Sequence, residues 1–232
     1  MLKTVSALLL LALLASLAAA APAEDPAAEG PAVAQLRALQ RHLAGLDDFR
    51  AEFVQRLRAP RSDVVREESG VIYVKLPGRT RWNYLDPERK EFICDGRHIW
   101  FYEPEENAVT VYGAEAMLDS GTPLQLLLGR GDLFSDFIVT EDEGLEPLAP
   151  DNLVVRVRPR EEDAPFNLAR LEMAPGAPPR LVRLFVVDPL QNVTEYRFSD
   201  YRENTGLADD YFTFDPPPGT EIWEERATLN SN

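Results

Sequence analysis

The chain is poor in the residues that build most active sites. It has one cysteine, Cys94, two histidines, His42 and His98, and 24 Lys+Arg against 39 Asp+Glu, a formal net charge of −15. One cysteine excludes an intramolecular disulfide, and two histidines leave little for a histidine-based metal centre. The acidic balance disfavours nucleic acid and repels anionic lipid. No G-x-S-x-G turn, glycine-rich phosphate loop or D-x-[DN]-x-[DN]-G calcium loop occurs. Cys94, beside Asp95, reads as a small buried hydrophobe, because a neighbouring carboxylate raises a thiol's pKa. The acidic runs 141–143 and 161–163 read as solvated loops, and both histidines as structural residues. Nothing positive points to catalysis, so an enzyme is not expected, nor a cofactor or bound metal.

What is present begins with a leader. Met1-Leu2-Lys3 precedes an apolar run from Val5 to Ala20, with Ala18 and Ala20 in an A-x-A arrangement. That is the layout of a cleaved secretory signal. The run falls short of the ~20 residues that span a bilayer, and no cysteine stands at the cleavage point for acylation. The mature chain is expected to be exported, soluble and free of its own lipid anchor. Loss of Lys3 leaves 23 basic against 39 acidic residues, a net charge of −16.

Residues 21–31 lack periodicity and read as a flexible leader. Val33, Leu36, Leu39, Leu43 and Leu46 then recur at helical spacing, with Pro31 at the first turn and Gly45 near the end. After Leu46 the period becomes two. Short alternating runs at 49–55, 69–75, 79–85, 91–95, 98–103, 108–112, 137–141, 152–158, 168–173, 181–188, 192–201 and 212–214 are separated by Pro, Gly and Asp turns. The pattern predicts a mainly β domain over 32–222, an antiparallel sheet of about eleven strands curling into a barrel or sandwich. Residues 223–232 read as a C-terminal tail. Residues 113–135 interrupt the rhythm: Thr122-Pro123 can start a short helix that Gly129 ends, carrying Leu124, Leu126, Leu127 and Leu128. Trp82 and Tyr84 share one face of their strand, and Trp100 and Tyr102 share one face of theirs, with Phe101 opposite.

Six fragments, in order and correctly spaced, carry a resemblance. They are Phe49–Gln55, Gly70–Gly78, Arg81-Trp82-Asn83-Tyr84, Asp95–Tyr102, Thr122-Pro123-Leu124 and Phe212–Gly219. Together they resemble the periplasmic outer-membrane lipoprotein carrier family, LolA, from about Leu36 to Thr220. The resemblance implies an unclosed antiparallel β-barrel of about eleven strands, with an N-terminal amphipathic helix and a short helical lid over an apolar cavity. It implies a periplasmic, non-catalytic carrier that accepts triacylated lipoproteins from an inner-membrane ABC-type release complex and delivers them to an outer-membrane acceptor. A periplasmic binding module or sensor for another lipid or glycolipid is the alternative; a monomer is expected.

By position, the resemblance places Leu124, Leu127 and Leu128 in the lid and Leu39 and Leu43 on the first helix. Trp82, Tyr84, Trp100 and Tyr102 are the expected acyl-chain wall. Family members carry an arginine before the strand-ending proline, where this chain has Leu76. Arg79 and Arg81 are the candidate substitutes for that latch, with apolar contact alone as the other way to hold the lid. An aromatic two residues before the tryptophan, linked in the family to partner docking, is Thr80 here.

Overall fold

The computed structural model describes residues 29–113, 132–161 and 164–225. The expected signal segment and the expected lid, including Leu124, Leu127 and Leu128, lie outside them.

Helix α1, Pro31–Ala44, buries Ala32, Leu36, Leu39 and Leu43, and the Gly45 N–H closes its last turn. Pro31 occupies the first turn, where a missing N–H is harmless. Two unpaired donors of that turn are met from across the molecule: Ala32 and Val33 donate to Glu141 Oε1 at 2.9 and 3.0 Å. Gln35 Nε2 donates to the carbonyl of Ala174 at 3.0 Å. These contacts seat α1 on strands more than 100 residues farther along the sequence.

The strands are β1 Asp48–Arg58, β2 Val65–Lys75, β3 Arg79–Asp86, β4 Lys90–Cys94, β5 His98–Glu103, β6 Ala108–Gly113, β7 Phe137–Glu141, β8 Leu153–Pro159, β9 Leu168–Ala174, β10 Arg180–Val187, β11 Val193–Glu203 and β12 Glu221–Glu225. A one-turn helix, α2 Leu133–Asp136, precedes β7. Among the described residues these twelve strands join one sheet in the order β12-β6-β5-β4-β3-β2-β1-β11-β10-β9-β8-β7. Every neighbouring pair is antiparallel except β12 with β6. β12 and β7 are not paired with each other, so the sheet is unclosed, as expected. Eleven of the expected strands appear within a few residues of their predicted bounds.

The twelfth differs. Residues 212–214 form no strand: Asp209–Phe212 is a 3₁₀ turn, and the chain continues as a strap across the sheet. Its aromatic alternation serves packing, because Phe212 is fully buried while Phe214 lies on Trp100 and Tyr102. Three prolines, 216–218, cannot donate to a ladder. The strap ends in β12, a strand that the sequence pattern did not announce.

One carboxylate anchors the strap. Asp48, 2% exposed, accepts hydrogen bonds from Thr205 N and Oγ1 at 2.7 and 2.9 Å, and from the N–H groups of Gly206 and Leu207 at 2.9 and 3.0 Å. Burial alone would raise its pKa, but these donors outweigh it and hold the carboxyl below its ordinary value. Farther along, Arg79 pairs with Asp209 at 3.0 Å, Lys75 also reaches Asp209, and Tyr73 meets the Tyr211 ring edge-on.

Gly70 marks a β-bulge against β3, and a Cβ there would lie 1.9 Å from the carbonyl oxygen of Asn83. The two backbones touch only because the side chain is missing.

Two outcomes are expected. Asp48→Asn lowers stability by about 2 kcal/mol at neutral pH, because four donors lose a charged acceptor. The native contribution is complete above the unfolded carboxyl pKa and fades as pH falls through the lower folded value, so denaturant titrations from pH 7 to 2 give a flatter acid limb for the variant. Gly70→Ala costs about 2–3 kcal/mol through overpacking, measurable as a lower chemical-denaturation midpoint.

Candidate functional site

Strand alternation divides the sheet into two chemically different faces. Register places Phe53, Ile72, Trp82, Tyr84, Phe92 and Phe101 on the face that carries α1. Their rings form a connected wall. Phe53 meets Trp82 at 5.1 Å and Tyr84 at 4.9 Å between centroids, both edge-on. Tyr84 touches Phe92 at 5.7 Å, and Phe92 stacks on Phe101 at 4.3 Å. On the other side Trp82 touches Tyr196 at 5.6 Å, and Tyr196 stacks over Phe198. Gly70 lies in register between Phe53 and Tyr84, so its bare backbone lets rings from β1 and β3 meet above it.

This face is filled unevenly. Under α1 it is closed core: Leu39 and Leu43 pack with Leu133, Val155, Val157, Leu171 and Met173, all buried. A shallow cleft beside the last turn of α1 is lined by Leu39, His42, Leu43, Arg180, Leu181 and Tyr201. Across β3–β6, Trp82, Phe92, Phe101 and Tyr112 are only half-buried.

The four aromatics expected as one wall do not share a face. Trp82 and Tyr84 belong to the wall, whereas Trp100 and Tyr102 point to the opposite face and are covered by Phe214 at 5.8 and 5.1 Å. The spacing of Trp100 and Tyr102 fixes that they face together, not which way. The Phe101 ring between them occupies the helix-bearing face, pinned by its register with Phe92. Phe53, Ile72, Phe92, Phe101, Tyr196 and Phe198 are the wall residues that pattern reading missed, since their faces follow from cross-strand partners alone.

The residues expected at the latch also separate. Leu76 packs against the core, and Thr80 is 1% exposed on the helix-bearing face opposite Cys94. Arg79 and Arg81 lie on the other face and hold the strap. Arg81 donates to the Tyr211 carbonyl at 3.0 Å, lies over the Tyr211 ring and pairs with Glu91. Both guanidinium groups are thus engaged by partners on the face away from α1.

The wall carries a polar group at one end. Tyr84 donates its hydroxyl to Gln55 Oε1 at 2.6 Å, and Lys90 donates to both Glu68 oxygens at 2.8 and 2.9 Å with its ammonium 4.6 Å from the Tyr84 ring. Burial pushes the Tyr196 hydroxyl up to about 12, so it stays neutral at physiological pH. Among the described residues no cluster of three metal-ligating side chains occurs, and no helix is long and apolar enough to cross a membrane. The connected rings of the wall offer the kind of apolar surface that holds hydrocarbon.

Known proteins are similar to this chain in sequence and in fold. The family model for the outer membrane lipoprotein carrier protein LolA matches residues 44–215. An outer-membrane lipoprotein carrier protein of Halorhodospira halophila is 33% identical over 190 residues, covering 82% of this chain and 86% of its own. One from Nitrosomonas europaea is 31% identical over 181 residues, covering 75% and 81%. An uncharacterized conserved protein from Thermus thermophilus shares the fold, with a TM-score of 0.53 at 13% identity, covering 83% of this chain and 98% of that one. On the family match and these identities, the chain belongs to the outer-membrane lipoprotein carrier family, LolA.

Proposed function

We propose that this chain carries acylated lipoproteins across the periplasm to the outer membrane, holding their acyl chains against the aromatic wall of the helix-bearing face. Family membership supports the cargo class; the wall of Phe53, Trp82, Tyr84, Phe92 and Phe101 is the observation that carries the mechanism. Three acyl chains of some fifteen methylenes each, at about 0.8 kcal/mol per CH₂, represent roughly 35 kcal/mol of aversion to water. Such tails need a continuous apolar surface throughout an aqueous crossing. Transport also requires release, so the surface must be open to exchange, and an unclosed sheet covered on one part of its face by α1 meets both needs.

In this reading the chain takes cargo from an inner-membrane ABC-type release complex, passes it to an outer-membrane acceptor, and acts as a non-catalytic monomer. Leu124, Leu127 and Leu128 supply a leucine lid over the wall, and the deep positions of Leu39 and Leu43 support α1 as its fixed part. With Arg79 and Arg81 engaged on the opposite face, apolar contact holds the lid. The buried Thr80 leaves partner docking to other positions.

Purified protein should extract an acylated lipoprotein from energised inner-membrane vesicles; failure to do so, with another lipid co-purifying in native mass spectrometry, would replace the reading with a different lipid ligand. Leu127→Asp should abolish lipoprotein release from spheroplasts while leaving the circular-dichroism spectrum unchanged, because a charge enters an acyl site only at a large penalty. Phe101→Asn should weaken a fluorescent acyl probe about tenfold, the effect of losing one large buried apolar contact, whereas Tyr102→Asn, one residue along on the opposite face, should leave probe binding unaltered.

A further inference from the structure

The helix-bearing face changes chemistry at one end. Along β1 its residues run Phe49, Ala51, Phe53 and then Gln55; along β2, Val74, Ile72, Gly70 and then Glu68; along β4, Cys94, Phe92 and then Lys90; along β5, Ile99, Phe101 and then Glu103. Adjacent strands thus turn polar together, where the Tyr84 hydroxyl meets Gln55. Glu68 is 4% exposed and Gln55 6%. A buried ion pair gains little over a well-packed apolar pair, since desolvation offsets the attraction. Stability alone therefore does not account for a carboxylate and an ammonium beside an aromatic wall.

The donors left over belong to this end. Lys90 has three N–H donors and directs two contacts to Glu68, while Gln55 uses its oxygen for Tyr84 and keeps its amide hydrogens. Glu68 is already engaged twice, with Arg66 Nη2 at 2.7 Å from Oε1 in addition to Lys90. Surplus donors at the end of a hydrocarbon-binding surface match a ligand whose apolar tails end in carbonyl groups.

Resting on the carrier reading, we infer that Lys90 and Gln55 bind the polar junction of the cargo, the ester and amide carbonyls that join the acyl chains to the modified N-terminal cysteine. Glu68 and Tyr84 are positioning residues that hold the two donors. The junction sits at this polar end, the tails run along Phe53, Trp82 and Phe92 toward α1, and the cargo polypeptide leaves past the β1–β2 and β3–β4 turns. Lys90 and Gln55 then determine specificity: they distinguish an acylated polypeptide from a bare hydrocarbon of equal length.

The test uses the mature protein and two fluorescent probes with matched sixteen-carbon chains, a synthetic triacylated lipopeptide and an alkyl-tailed dye without carbonyls. Lys90→Met, which keeps the apolar stem, should bind the lipopeptide about tenfold more weakly, the size of a lost charge-assisted hydrogen bond, with the alkyl dye within twofold of wild type. Lys90→Arg should restore the preference. Gln55→Leu should give the same selective loss, and it carries the test should Lys90→Met fail to fold by circular dichroism. Equal weakening of both probes, or unchanged lipopeptide binding in a folded variant, overturns the assignment while leaving the carrier reading in place. A wild-type protein that binds neither probe overturns both.

Discussion

The pairing of β1 with β11 is the interaction on which the rest of the molecule depends. β1 runs eleven residues between β2 on one side and β11 on the other. Everything before it in the sheet order is the β2–β6 meander with β12; everything after it comes from the second part of the chain. Without that ladder the protein would be two separate sheets, neither with a complete wall. Asp48, at the first residue of β1, reinforces the same junction by tying down the segment that follows β11. A single buried carboxylate thereby fixes both the seam of the sheet and the start of the strap.

From that seam the two faces acquire different tasks. The face under the strap is closed by aromatic and ionic contacts, with Tyr211 on Tyr73 and Arg81, and Phe214 on Trp100 and Tyr102. The face under α1 is closed core from β7–β9 through β10, β11, β1 and β2, and keeps half-buried rings on β3–β5, at Trp82, Phe92 and Phe101. Covering one side permanently lets the other remain adaptable without loss of the fold. Aromatic rings suit such a surface, because they offer large apolar area while losing little conformational freedom when a ligand arrives.

The sequence made most of this legible wherever the signal was periodic. The spacing of Leu36, Leu39 and Leu43 located α1 and its buried stripe, and alternation located eleven strands. It could not orient a strand whose two faces are both apolar: Trp100-Phe101-Tyr102 offers rings either way, and only register against Ile93 and Phe92 decides. The strap escaped for a related reason, since Phe212 and Phe214 alternate like a strand while packing across one. Arg79 and Arg81 stand close to Leu76 in the sequence, yet nothing local encodes that their partners, Asp209 and Tyr211, lie 130 residues downstream and on the other face. The Lys90–Glu68 contact is equally silent in the pattern, because it joins strands that are not neighbours in the sheet.

The long reach of β1 bears on how the protein comes into being. A chain delivered from its N-terminus emerges with Asp48–Arg58 early, but the strand that completes this element ends at Glu203 and the donors that satisfy Asp48 follow at 205–207. Until those last residues arrive, the central strand has one free edge and a buried-to-be carboxylate without partners. Closing so distant a contact is slow relative to local structure, so the nascent polypeptide remains unfinished, and hence threadable through a narrow conduit, until residues 205–207 have been made.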